Sequence, residues 1–395
     1  PPIGSTGHSA RVVVVDDASP PTTAPAIAAD VAAHPGAILV RRTVNGGPGA
    51  ARQSGLAAAR TPLVAFVDAG VAPEPGWLAP LLAHFADPEV VAVAPRVRSR
   101  PGTGTLLDRY ERRRSPLDLG DAEARVAPRA RVAYVPTAAL LARRAAVEAV
   151  GGFDPALRTG EDVDLVWRLV EAGAVLRYEP AVTAWHGPRQ DWAAWARQRF
   201  GYGRAAGPLD RRHPGQLPPL SVSGWSVLAW GLAAAGRPGL AAGVAGGTTA
   251  LLGRKLSPVL AEPWPEALRL GGLGHLHAGR WVASALTRAW WPLALVAALS
   301  SRRARRAVVA AAVVPPLLEW RPGDGMAPAA YVAARLADDV AYGAGVWRGC
   351  WAARRLGPLV PDLRSWPGRS LGPWSWHGGL RRRRASSAPA RAGNR

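Results

Sequence analysis

From residue 11 to residue 200, short apolar runs alternate with stretches of helical character. That alternation restricts this part of the chain to an α/β fold built on a mostly parallel sheet flanked by helices. Strands are expected over Val12–Val15, Ala37–Val40, Leu63–Val67, Val90–Ala94, Tyr134–Leu141 and Val175–Tyr178. Helices are expected over Pro48–Arg60, Trp77–Phe85, Arg143–Val150 and Val163–Glu171, the last with Val163, Val166, Leu169 and Val170 on one face. Residues 97–130 read as an Arg-rich irregular stretch carrying Arg109, Arg112, Arg113 and Arg114. A loop of that length in a compact domain is usually functional, and it suits either a small anionic or phenolic acceptor or plain solvent. In open α/β sheets ligands bind beyond the carboxyl ends of the strands, and acids fall at those ends here.

Val-Asp-Asp-Ala-Ser at 15–19 closes the first run, and Phe-Val-Asp-Ala-Gly at 66–70 closes the third. Asp16 and Asp17 can accept hydrogen bonds from a uracil or ribose, although Asp and Ser also favour ordinary turns. Asn45-Gly-Gly-Pro-Gly49-Ala-Ala-Arg52 is a glycine-rich loop opening a helix. Its backbone amides and Arg52 suit a phosphate, or merely a helix start. It lacks the Gly-Lys-Ser/Thr of a Walker loop. Asp68 with a substrate pyrophosphate can hold Mg2+ or Mn2+, or can simply end a strand.

Thr-Gly-Glu-Asp-Val-Asp-Leu at 159–165 opens a helix just after Gly-Gly-Phe-Asp at 151–154. Thr159 is positioned to cap that helix, and the acids suit its dipole. A functional reading makes Asp162, beside Glu161, a general base for a sugar hydroxyl. Gly152, Phe153 and Asp154 would then lie at the acceptor's edge. His186 follows the last expected strand and is a candidate metal ligand with Asp68.

The formal charge is +21, divided as +3 over residues 1–210 and +18 over residues 211–395. A basic half calls for an anionic partner such as lipid, nucleic acid or an acidic substrate. Leu220–Gly236, Gly239–Gly253, Trp290–Leu299 and Ala307–Leu318 are apolar, but none reaches the ~20 residues of a membrane span. They fit a buried helical domain or interfacial helices, with Trp at their edges and Arg302–Arg306 between the last two. Three regions are therefore expected: residues 1–210, a helical region at 211–360 that is either buried or membrane-facing, and a basic disordered tail at 361–395 centred on Arg381–Arg395. Cys350 is the single cysteine, which excludes an internal disulfide and a cysteine zinc site and fits the cytoplasm. The first residues lack a signal peptide and an initiator Met, so the chain is expected to begin downstream of the true start.

Taken in order, the motifs spanning 12–165 resemble those of family 2 glycosyltransferases of the GT-A fold. The resemblance implies that Asp16 and Asp17 bind the nucleotide, that Asp68 binds metal and diphosphate, and that Asp162 is the base. A closer resemblance is to the glycosyltransferases of the mycofactocin system of actinobacteria. It rests on the pattern at 336–350, on Trp290-Trp291-Pro292, and on Arg197-Gln-Arg199-Phe-Gly-Tyr-Gly-Arg204. It implies a GT-A-like sheet domain followed by a helical C-terminal region. It also implies inverting transfer of a hexose, glucose, from UDP-glucose to a small peptide-derived redox cofactor. A divalent metal, Mg2+ or Mn2+, is expected, with Gly49, Arg52, Arg199 and Arg204 toward the donor. An anionic membrane surface at the inner face of the cell membrane is the other expected partner, and nucleic acid is not. The rival is a basic membrane- or nucleic-acid-binding protein with an inactive α/β domain. Three departures from the pattern stand out. The fold's first strand would precede residue 1. Gly70 stands where a second Asp is usual. Gln198-Arg199-Phe200 is only part of a Gln-x-x-Arg-Trp processivity motif.

Overall fold

The computed structural model describes residues 11–364 apart from 103 and 190; of the disordered tail expected at 361–395, residues 362–364 instead form a short strand paired with Ser221–Ser223, and 365–395 lie outside the described residues. The first part of the chain runs β1 (Val13–Asp16), α1 (Ala24–Ala32), β2 (Ile38–Arg41), α2 (Pro48–Ala58), β3 (Leu63–Val67), β4 (Val71–Pro73), α3 (Leu78–Ala83), β5 (Val90–Ser99), α4 (Leu106–Arg114), β6 (Ala124–Arg125), β7 (Ala139–Arg143), α5 (Arg144–Ala149), α6 (Glu161–Glu171) and β8 (Val175–His186). Then follow α7 (Trp192–Arg204), α8 (Ala206–Arg212), β9 (Ser221–Ser223), α9 (Gly224–Ala234), α10 (Pro238–Leu256), α11 (Pro263–Ala267), α12 (Leu273–Arg288), α13 (Trp291–Ser300), α14 (Arg302–Glu319), α15 (Pro328–Ala353) and β10 (Asp362–Arg364).

The α/β expectation holds, with one correction: the main sheet is mixed rather than mostly parallel. Its order is β3-β7-β5-β8-β4, with β6 also on β8. β5 and β8 run parallel, whereas β7 is antiparallel to both β3 and β5, and β4 and β6 are antiparallel to β8. β1 and β2 form a separate parallel pair. An apolar run records burial on both faces of a strand, and both directions produce the same run.

Three boundaries also move. The run expected over Tyr134–Leu141 enters the ladder only at Ala139. Pro136 has no N–H to give a neighbour, which keeps the preceding segment out of the sheet. β8 continues past the expected Tyr178 to His186, crossing an irregularity in its register with β5 after Glu179. The stretch 97–130 is not irregular throughout. It holds the end of β5, all of α4 and β6, and the Thr105 hydroxyl caps α4 by accepting from the Asp108 amide at 3.2 Å.

The main core lies between the sheet and α6, where Leu165, Val166, Trp167 and Leu169 pack with Leu140, Leu176 and Tyr178. Trp167 also donates its indole N–H to the Ala133 carbonyl at 2.8 Å. The C-terminal region is helical, as expected. The Arg cluster 302–306 is the first turn and a half of α14, not a break. No single described helix is long and apolar enough to cross a membrane. One pair, 263–288 with 291–300, passes the length and composition test only jointly and is bent by 91°.

α15 runs back along α7 and α8 at very short range. The approach is made by glycines on both sides. A Cβ on Gly203 would strike the Tyr342 carbonyl, one on Gly345 the Phe200 carbonyl, and one on Gly349 the Arg204 carbonyl. Gly349→Val should therefore cost about 1–3 kcal/mol or more through overpacking. Gly243→Ala, in open space on α10, should add about 0.5–1 kcal/mol. Thermal unfolding followed by circular dichroism checks both, and an unchanged Tm for Gly349→Val contradicts the close approach.

Candidate functional site

The site is built outward from α2. Gly49, Arg52 and Gln53 share one face of that helix, at i, i+3 and i+4. Gly49 lets the helix close on α6, since a Cβ there would sit 3.1 Å from Glu161. Gln53 accepts the Phe153 amide at 2.8 Å, and Gly152, at φ 67°, leaves room for it. Arg52 then reaches two acids at once. It donates to Asp68 at 2.6 Å and to Glu161 at 2.7 Å, with its guanidinium over the Phe153 ring. Burial alone would lower the Arg52 pKa, but Asp68 and Glu161 hold it above its ordinary value.

Arg52, Asp68 and Glu161 line a cavity of ≈ 1050 Å³ that also takes in Asp162, His186 and Tyr134. β3, β7 and β5 alternate in direction and β8 is parallel to β5, so β3 and β8 deliver Asp68 and His186 to the same edge. Asp162 accepts the Val163 amide at 2.8 Å and forms no ion pair among the described residues. Burial, then the charge of Glu161, pushes its carboxyl up to about 7, with Arg52 opposing. Tyr202, pushed up to about 12 chiefly by burial, lines the same cavity, as does Tyr342. Burial, then Asp162, raises the Tyr134 phenol. Burial and then Arg189 keep His186 below its ordinary value despite Asp68, which leaves a neutral imidazole at pH 7. A carboxylate oxygen beside a neutral imidazole is a donor set that fits a divalent ion. Among the described residues, His84, Glu123 and Glu179 bring ligand atoms within 4.8 Å of one another, and none of the three lines this cavity.

The remaining candidates are placed as follows. Asp16 accepts from the Ser19 amide at 2.8 Å and from Arg41 at 3.0 Å. Asp17 accepts from the amides of Gly46 and Gly47 at 3.0 and 2.7 Å and from Arg42 at 2.7 Å, so it holds the glycine-rich loop in shape. Neither aspartate, nor Gly49, is among the lining residues. The Gly152–Asp154 turn packs inward: Phe153 meets Phe66 edge to face at 5.2 Å, and Asp154 pairs with Arg212 at 2.6 Å. Arg199 lines the cavity but is 2% exposed, bound to Glu111 and, at 3.0 Å, to Asp338. Arg204 is not in the lining, and its backbone lies against Gly349.

Thr159 does not cap α6. The cap is Gly160 in the left-handed region at φ 82°, because Ala205 and Leu209 would sit 3.0 Å from any Cβ there. Asp164, the third acid of the motif, is structural. It is fully buried and bound by Arg168 at 2.8 Å, Arg212 at 2.5 Å and His213 at 3.0 Å. The sequence did not single out Tyr134, Arg158, Arg189, Arg288 or Tyr342, all of which line the cavity. Only Tyr342 carried a signal, lying inside the 336–350 pattern. Arg112, Arg113 and Arg114 of the basic stretch do line it, from the last turn of α4.

A family model described as glycosyl transferase family 2 matches residues 6–150. The pre-mycofactocin glycosyltransferase of Mycobacterium tuberculosis, in strains CDC 1551 / Oshkosh and H37Rv, is 42% identical over 367 residues, covering 90% of this chain and 77% of the relative. Among solved structures, the mannosyltransferase PcManGT from Pyrobaculum calidifontis, in complex with GDP-Man and Mn2+, is 19% identical, with a TM-score of 0.48 over 87% of this chain and 78% of that one. GalNAc-T7 with UDP, GalNAc and Mn2+ is 17% identical, with a TM-score of 0.37 over 50% of this chain and 41% of that one.

Arg52→Ala should destabilise the protein by about 3 kcal/mol or more, because it leaves Glu161 buried and unpaired. Chemical denaturation measures the loss, and a change below about 1 kcal/mol, the range of a surface pair, contradicts the buried bridge.

Proposed function

This chain belongs to the family of the pre-mycofactocin glycosyltransferases, within the family 2 glycosyl transferases, and we propose that it transfers glucose from UDP-glucose to a small peptide-derived redox cofactor of the mycofactocin type. It is a glycosyltransferase rather than a basic binding protein with an inactive α/β domain. We place the reaction in the cytoplasm, where a nucleotide sugar is available.

Asp162 carries the chemical reading. It is the one acid of the Asp68–Glu161–Asp162 group that forms no ion pair among the described residues, and its carboxyl sits near neutrality. A base poised near the working pH combines sufficient ionisation with sufficient proton affinity. The acceptor hydroxyl oxygen attacks the anomeric carbon, its proton passes to an Asp162 oxygen, and the bond from that carbon to the diphosphate breaks. One displacement of this kind inverts the anomeric centre. Arg52 holds Glu161 in place beside Asp162, and the charge of Glu161 adds to burial in raising the base's proton affinity. Arg158 and Arg189 face the leaving diphosphate on this reading, in place of the sequestered Arg199. Asp17 shapes the nucleotide side by fixing Gly46 and Gly47. Asp68 and His186 would hold Mg2+ or Mn2+, which supplies charge neutralisation for the diphosphate. Tyr134, Tyr202 and Tyr342 offer flat faces to the acceptor.

Purified protein with UDP-glucose and a synthetic acceptor tests the reading, with the anomer of the product identified by NMR. Transfer with retention, or none from any nucleotide sugar, overturns it. Asp162→Asn should lower kcat by ~100- to 10,000-fold while leaving the donor Kd nearly unchanged. In the wild type the ionised carboxylate is the active form, so kcat/KM should rise with pH through about 7 and level off above it. Turnover in Asp162→Asn within a few fold of wild type would reduce Asp162 to a structural role. Chelator should abolish transfer and Mn2+ restore it, whereas Asp68→Ala should respond weakly to added metal. Indifference of the wild type to chelator removes the ion from the mechanism.

A further inference from the structure

One cation of the cavity comes from the helical half and has no role in the transfer step. Arg288, the last residue of α12, lines the cavity together with Tyr342 of α15. The chain around it is pinned to α15 at three successive residues. The Thr287 hydroxyl donates to Asp339 at 2.8 Å, Arg288 Nη1 donates to the same carboxylate at 3.2 Å, and the Ala289 carbonyl accepts the Trp347 indole N–H at 2.7 Å. Gly343 permits this approach, because any Cβ there would strike the Arg288 carbonyl. The guanidinium carbon then lies 3.6 Å from the centre of the Tyr342 ring, a stacked cation–π contact. A group fixed in this way between two helices is preorganised for a ligand.

Its charge and its donors remain available. Asp339 also binds Arg335, so one buried carboxylate answers two guanidinia. Among the described residues neither Nε nor Nη2 of Arg288 makes a hydrogen bond, and neither is sealed off; the side chain is 33% exposed and lines the cavity. Burial alone would lower the Arg288 pKa, but Tyr342, Asp339 and Asp338 hold it above its ordinary value. The guanidinium also lies on the side of the catalytic base. Burial, then Asp162 and Tyr342, raise the Tyr134 phenol, and Arg288 opposes them. On the metal side, His186 is lowered by burial and then by Arg189, with Asp68 opposing.

We propose that Arg288 is an acceptor-recognition residue, its Nε and Nη2 donating to a carbonyl oxygen of the acceptor while Tyr342 holds the guanidinium plane. The proposal rests on the reading of the acceptor as a small peptide-derived molecule, since such a molecule carries amide carbonyls. A carbonyl oxygen has two lone pairs, and the planar fork of arginine presents two N–H groups to them. An acceptor without that oxygen leaves the fork desolvated and unpaired, so the same contact discriminates against it. Anchoring the carbonyl at Arg288 also limits where the acceptor hydroxyl can lie relative to Asp162.

The test uses the full chain, UDP-glucose, and two acceptors: the synthetic acceptor and its analogue with a methylene in place of each amide carbonyl. The wild type should prefer the carbonyl acceptor by about 10- to 100-fold in kcat/KM, the range of a hydrogen bond to a charged group. Arg288→Gln should lose about that factor on the carbonyl acceptor, mostly through KM, and should treat the two acceptors within about threefold of each other. Its donor Kd, measured by calorimetry, should match the wild type. Arg288→Lys keeps a cation beside Asp339 but not the fork, so it should lose most of the preference as well. Circular dichroism reports whether each variant is folded, and the lysine variant decides the matter if the glutamine variant is not. A wild type that uses both acceptors equally, or a folded variant that keeps the wild-type preference, overturns the proposal. So does a raised donor Kd with an unchanged acceptor KM, which assigns Arg288 to the diphosphate instead. Transfer to neither acceptor by the wild type overturns the proposed function itself, whereas transfer without preference overturns only the role of Arg288.

Discussion

Arg52 is the cation around which the site is assembled. It leaves α2 beside Gly49 and Gln53, crosses to the end of β3, and binds Asp68 and Glu161 together. Three segments distant in sequence, near residues 52, 68 and 161, are thereby fixed to one another. The charge balance has a chemical consequence. Three carboxylates, Asp68, Glu161 and Asp162, lie around this one bridging guanidinium, and it contacts only the first two. Asp162 is left beside a like charge in a partly desolvated position, and its affinity for a proton rises accordingly. Position in the helix would not have produced this alone, since acids in a first turn are normally stabilised by the helix dipole.

A second ionic layer lies behind the first. Arg199 on α7 joins Glu111 on α4 to Asp338 on α15, and the Tyr110 hydroxyl donates to Asp338 at 2.9 Å. Asp339 binds Arg335, Arg288 and the Thr287 hydroxyl. Buried charges of this kind are weak evidence for stability but are costly to break singly, so they fix the mutual placement of the helices. The glycine contacts between α15 and the α7–α8 segment let these short side-chain reaches occur. As a result α12 and α15 supply Arg288, Asp338 and Tyr342 to the cavity, and the helical region forms one wall of the site.

The two halves of the chain thus carry different physics. The sheet half is close to charge balance and spends its ions on internal bridges. The helical half has few acids to pair with its arginines and leaves many leucines uncovered. Its inner surface completes the cavity while its outer surface stays apolar and cationic.

What could be read in the amino-acid order was whatever depends on neighbours along the chain. Strand-and-helix alternation, the acids at the ends of β1 and β3, the acidic start of α6, and the helical character beyond residue 220 are local patterns, and they were legible. The order of the motifs also pointed to the family, because spacing along the chain is itself sequence information. Partnership was not legible. Nothing near Arg52 indicates that it faces Asp68 and Glu161, and nothing near Asp17 or Arg199 indicates that internal amides and acids occupy them. The 134–138 segment looked like strand, and only folding shows it leaving the sheet and bringing Tyr134 to the cavity. Strand direction, the identity of the unpaired acid and the burial of each charge are set by contacts across 16 to 228 positions of sequence. Those contacts, and the desolvation that accompanies them, exist only once the chain has closed on itself.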